Sequence, residues 1–71
     1  MPRYLVTTRR SLRDSAMTAL AAAESEEGVE VVNGHDPHMV TIDTSDARAT
    51  DLANRLKDTH TVEPEIRRGL L

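Results

Sequence analysis

Cysteine, phenylalanine and tryptophan are all missing from this chain, and Tyr4 is its one aromatic residue. The lack of cysteine excludes disulfide staples, thiolate zinc sites and cysteine nucleophiles. The lack of aromatics leaves the core to small parts, because Ala, Leu and Val supply most of the apolar side chains. Seventy-one residues allow one domain, spanning 1–71. A chain this short buries only roughly 60% of its unfolded surface. At about 25 cal/mol per Å² of apolar area, such a core barely exceeds the lost chain entropy. A partner, or a second copy of the chain, is therefore expected to add to its stability.

Further absences narrow the function. No window approaches the ~20 apolar residues of a membrane span, so no membrane partner is expected. The first ten residues hold no apolar run followed by a small-residue cleavage site, so no secretory signal is visible. If the chain is complete as given, the expected location is the cytoplasm. Gly28, Gly34 and Gly69 lie too far apart to form a phosphate loop. Ser11, Ser15 and Ser45 stand in no nucleophile elbow and no Ser-His-Asp order. An enzyme is not expected. Nine basic residues against twelve acidic give a net charge of −3. A nucleic-acid partner would need a clustered basic face and stacking aromatics, so none is expected. Arg9-Arg10-Arg13 and Arg67-Arg68 are the basic clusters, and both read as solvated ends of elements.

What the chain does have is a succession of periodic blocks. Arg3–Arg9 alternates as a strand, and Leu12–Ser25 carries apolar residues at helical spacing. Ser11 reads as the cap of that helix, with Asp14 completing a capping-box pattern, and Gly28 as its stop. Val29–Val32 and Met39–Asp43 read as two more strands, with a turn signalled by Asn33-Gly34 between them and, because His35-Asp36-Pro37-His38 follows, a connection longer than a two-residue hairpin. Asp46–Lys57 reads as a second helix capped by Thr44 or Ser45, burying Ala49, Leu52, Ala53 and Leu56. Thr61–Arg67 reads as the last strand, and Pro64 inside it argues for a sheet edge. This order predicts an α+β, ferredoxin-like β-α-β-β-α-β fold: a four-stranded antiparallel sheet with both helices on one face. That fold serves many unrelated functions, so the function must come from sites.

Two sites stand out. His35-Asp36-Pro37-His38 puts two imidazoles and a carboxylate in one loop. These could bind zinc, but no fourth ligand is identifiable and Pro37 interrupts the loop, so His35 and His38 are read as solvated, the metal candidates of the chain at most, and no cofactor is expected. His60 is isolated and is expected to be exposed. The second site is the sheet. Two helices cover one face only, so if Tyr4, Val6, Val40 and Ile42 face them, the open face carries Leu5, Thr7, Val32, Met39 and Thr41. Contiguous apolar patches of this kind mark partner surfaces.

The opening Arg3-Tyr4-Leu5-Val6 and the closing Val62-Glu63-Pro64-Glu65, with the element order between them, resemble the propeptide and propeptide-like inhibitor family of subtilisin-type serine proteases. The resemblance implies that the open sheet face packs on the protease. It implies also that residues 67–71 form a C-terminal tail lying in the substrate cleft. Leu71 would then fill the primary specificity pocket, with Leu70, Gly69 and Arg68 in the successive subsites. Two features depart from the family pattern. Pro37-His38-Met39 replaces a Gly-aromatic pair, and Arg68 stands where apolar residues are commoner. The alternative is a small interaction or homo-oligomerisation module of the same fold without protease binding. A metal- or ligand-binding regulatory domain is the remaining reading.

Overall fold

A computed structural model describes residues 2–65. The elements are β1 (Arg3–Thr8), a 3-10 turn (Arg10–Leu12), α1 (Ala19–Glu24), β2 (Glu30–Asp36), β3 (Met39–Asp43), α2 (Asp46–Leu56) and β4 (His60–Pro64). The four strands form one antiparallel sheet in the order β2-β3-β1-β4. This is the expected α+β architecture, with a ferredoxin-like strand order and β1 and β3 in the middle. No helix among the described residues is long and apolar enough to cross a membrane.

Residues opposite each other on antiparallel neighbours share a face. Tyr4 pairs with Ile42, and Val6 pairs with both Val40 and Val62. These form the inner face, where Val6, Val40 and Ile42 are fully buried. Ala19 and Ala23 of α1 and Leu52 of α2 complete the core, and Leu20, Val29, Val31 and Leu56 pack around it. Both helices thus lie on one side of the sheet. Arg55 ties α2 to the turn after α1 through Glu26, at 2.5 Å.

Four local expectations are corrected, and one, the third below, is decided between its two candidates. The first helix does not run over Leu12–Ser25: the chain makes a 3-10 turn, then further turns, and α1 begins only at Ala19. Thr18, not Ser11, caps it, its hydroxyl accepting the Ala21 amide at 3.1 Å. Tertiary bonds explain the late start. The Ala19 amide donates to the Thr8 hydroxyl at 3.0 Å, and the Met17 carbonyl accepts from His60 Nε2 at 2.9 Å. Residues 10–16 are meanwhile rich in Ser and Asp, which compete for backbone partners outside helices.

The second correction concerns the β2–β3 turn. Asn33 and Gly34 lie inside β2, which runs to Asp36 instead of stopping at Val32. The register shifts between Val31 and Asn33 and again between Asn33 and Asp36, so Asn33-Gly34 makes a bulge in the strand, and the connection is the two residues Pro37-His38 and not a longer loop. Gly34 suits that place, because a Cβ there would meet Leu20 Cδ1 at 3.0 Å. The reversal occurs at Pro37-His38, where Asp36 Oδ1 accepts the His38 amide at 2.9 Å.

Third, Ser45 caps α2, accepting the Arg48 amide at 3.2 Å, while Thr44 is fully buried and donates to the Gly28 carbonyl at 2.8 Å. Gly28 does mark a stop, with φ +77°, but four residues beyond the end of α1. Fourth, the last strand begins at His60 and ends at Pro64, and Ile66 and Arg67 lie outside the described residues. Fifth, His60 is buried, not exposed. Only 2% of it is accessible, and its Nδ1 lies 2.7 Å from the Thr59 hydroxyl. The position explains it: Thr8 and His60 pair directly, so His60 follows the inner-face alternation of β4.

Candidate functional site

The outer face of the sheet is covered by neither helix. Its geometry follows from the register. One row across the strands runs Asp36, Met39, Thr7 and Thr61; the next runs Asn33, Thr41, Leu5 and Glu63; a third joins Glu30, Asp43 and Arg3. The apolar residues sit near the centre and the charges at the rim. Met39 is 45% exposed and Val32, next to the inward Val31, is 42% exposed. Leu5, Thr7, Thr41 and Thr61 are half-buried. All five residues expected on the open face are thus solvent-accessible, and four of them stand on adjacent strands in two successive rows.

The two edges of the sheet differ from this face. β2 carries two register shifts, which twist an edge and interrupt its ladder. At the other edge, the Glu65 amide donates to the Arg3 carbonyl at 2.9 Å. Backbone alternation then puts the Pro64 nitrogen on the outer side, where a proline offers no donor to an incoming strand. Both edges are therefore poor templates for strand addition.

The motif Val62-Glu63-Pro64-Glu65 divides between faces. Val62 is half-buried on the inner side opposite Val6, whereas Glu63 is exposed on the outer face opposite Leu5. Pro64 and Glu65 are exposed. Arg68, Gly69, Leu70 and Leu71 lie outside the described residues.

His35 and His38 do not come together as ligands. His35 is exposed on β2, its amide donating to Asn33 Oδ1 at 3.1 Å. His38 turns its Nδ1 toward the Thr8 hydroxyl, 3.2 Å away. No group of three or more His, Cys, Asp or Glu able to hold a metal forms among the described residues.

Sequence reasoning missed one feature. Where β1 leaves the sheet, the segment Arg9–Arg13 rises beside the outer face and closes an open groove of about 770 Å³. Thr7, Met39 and Thr61 form its floor, and Arg10, Ser11 and Arg13 its wall. The arginine cluster was visible in the sequence, but its position against the sheet depends on the missing first half of the expected helix. Tyr4 marks the opposite end of the sheet. Its hydroxyl donates to the Asp46 carboxylate, and that hydrogen bond, with some desolvation and the negative charge itself, raises the phenol above its ordinary pKa.

Comparison with protein-family models, with curated proteins and with solved structures returns no match.

Proposed function

We propose that this chain is a non-catalytic protein-binding domain that docks a subtilisin-type serine protease on the bare face of its sheet, as inhibitor, folding helper or both. The observation that carries this reading is the uncovered face itself, with Leu5, Val32 and Met39 accessible on a sheet whose other side packs against the helices. A small domain gains stability when a partner that recognises only its native state covers such a surface. The bulges of β2 and the proline of β4 direct a partner to the face and away from the edges. The choice of protease rests on the resemblance of Arg3-Tyr4-Leu5-Val6 and Val62-Glu63-Pro64-Glu65 to the propeptide-like inhibitors. On the same ground Arg68, Gly69, Leu70 and Leu71 are assigned to the substrate cleft.

The test is a steady-state assay of a subtilisin-type protease against three chains: intact, shortened by Gly69–Leu71, and carrying Met39→Asp. Intact chain is expected to inhibit at micromolar concentration or below. Loss of the apolar tail anchor or a charge set into the apolar face is expected to weaken inhibition by about tenfold or more. A protease left fully active by the intact chain, or equal potency of all three, sinks the protease reading. The same exposed face favours one second reading, in which a further copy of the chain covers it. Sedimentation velocity separates the two, because self-association abolished by Met39→Asp, without protease inhibition, identifies the oligomerisation module.

A further inference from the structure

The groove beside the outer face carries a chemistry that the protease reading does not use. Its floor is the last row of the bare face, where Thr7 is flanked by Met39 and Thr61. Its lining brings three arginines, Arg9, Arg10 and Arg13, within five positions, in a chain whose net charge is −3. Arg9 is occupied, since its guanidinium donates to the Lys57 carbonyl from both Nε, at 3.0 Å, and Nη2. Arg10 and Arg13 are exposed, and neither has an ion-pair partner among the described residues. The acids nearby do not answer them. Asp36 stands at the far end of the row and gives one oxygen to the His38 amide, and Asp14 is itself exposed next to Arg13.

We propose that this groove binds an acidic, extended segment of a partner protein. Guanidinium forks pair bidentately with carboxylates, which suits two free arginines along one wall. An extended peptide shows successive side chains to opposite faces. Alternate carboxylates then meet Arg10 and Arg13, while the residues between them rest on Met39. The hydroxyls of Thr7 and Thr61 meet the peptide's polar groups. Single-stranded nucleic acid is the competing polyanion, but it needs aromatic platforms for its bases. The outer face has none, because the one aromatic, Tyr4, lies in the inner-face row with Ile42. This inference goes beyond the protease reading and is tested without a protease, so either can fail alone.

The experiment titrates the isotope-labelled full chain with a blocked peptide alternating Glu and Val. Its Lys-for-Glu counterpart and an oligothymidylate serve as comparison probes, and NMR shifts and fluorescence anisotropy are the readouts. The acidic peptide is expected to bind, to shift Thr7, Met39 and Thr61, and to lose affinity as salt screens the charges. R10E and R13E are each expected to weaken it by about tenfold or more, the loss of a charge-assisted contact. Both positions are exposed, so the melting temperature of each variant should match the parent. No binding at millimolar peptide, equal affinity for the basic peptide, tighter binding of the oligothymidylate, or indifference to both substitutions overturns the proposal.

Discussion

Replacing His60 with leucine keeps the bulk of a buried side chain and removes both of its ring hydrogen bonds. The bond from Nε2 to the Met17 carbonyl is 2.9 Å and the contact of Nδ1 with the Thr59 hydroxyl is 2.7 Å. Each such bond contributes about 0.5–1.5 kcal/mol net, and a carbonyl deprived of its donor costs about 1–3 kcal/mol. The expected loss is about 2–4 kcal/mol. A domain of this length has a total stability of about 4–11 kcal/mol, so the loss is a large share of it. At about 4–8 °C per kcal/mol for a domain of this size, the melting temperature should fall by at least about 8 °C. Thermal melts followed by far-UV circular dichroism measure it. Two further variants locate the cause. His60→Gln keeps an N–H donor within reach of the carbonyl and should recover part of the loss. His35→Leu, at an exposed position of β2, should leave the melt nearly unchanged. A fall of less than about 4 °C for His60→Leu, or an equal fall for His35→Leu, would refute the claim that the His60 ring anchors the segment before α1.

Leu52 is fully buried in the core whereas Asn54 on the same helix is exposed. Leu52→Ala should cost about 2–5 kcal/mol and bring the free chain close to unfolding, with Asn54→Ala within about 0.5 kcal/mol of the parent in urea denaturation. The hydrogen bond to Asp46 raises the phenol of Tyr4, so the folded state holds that proton more tightly than the unfolded one. Its contribution is therefore present below the ordinary phenol value near 10 and is lost as pH rises through the higher folded value. As the only tyrosine in a chain without tryptophan, Tyr4 gives a clean ultraviolet titration. Asp46→Asn should move its midpoint downward, and an unchanged midpoint would discount the contact.

The strands were legible because alternation is a local property. Tyr4, Val6, Val40 and Ile42 repeat at every second position, and the sheet needs them on one side. α2 was legible for a related reason: Ser45 and the spacing of Ala49, Leu52 and Leu56 lie within one continuous segment. The start of α1 was not. Leu12 and Ala16 continue the helical spacing, yet Thr8 and His60 claim the Ala19 amide and the Met17 carbonyl from elsewhere in the chain. Asn33-Gly34 misled in a comparable way, since a bulge and a turn draw on the same residue types. The outer face was foreseen from alternation and element count. Its basic groove was not, because a helix over Leu12–Ser25 leaves no wall for it.

The bond between His60 and Met17 also sets a timetable. Met17 belongs to the first quarter of the chain and His60 opens its final strand. During synthesis the residues around Met17 leave the ribosome long before their partner does. Until then β1 has no neighbour on one side, since the pairing from Thr8↔His60 to Tyr4↔Pro64 is also unmade. The contacts that close the domain join positions distant in sequence, a feature that slows folding. Release of β4 then supplies both the missing edge of the sheet and the ring that fixes the entry to α1.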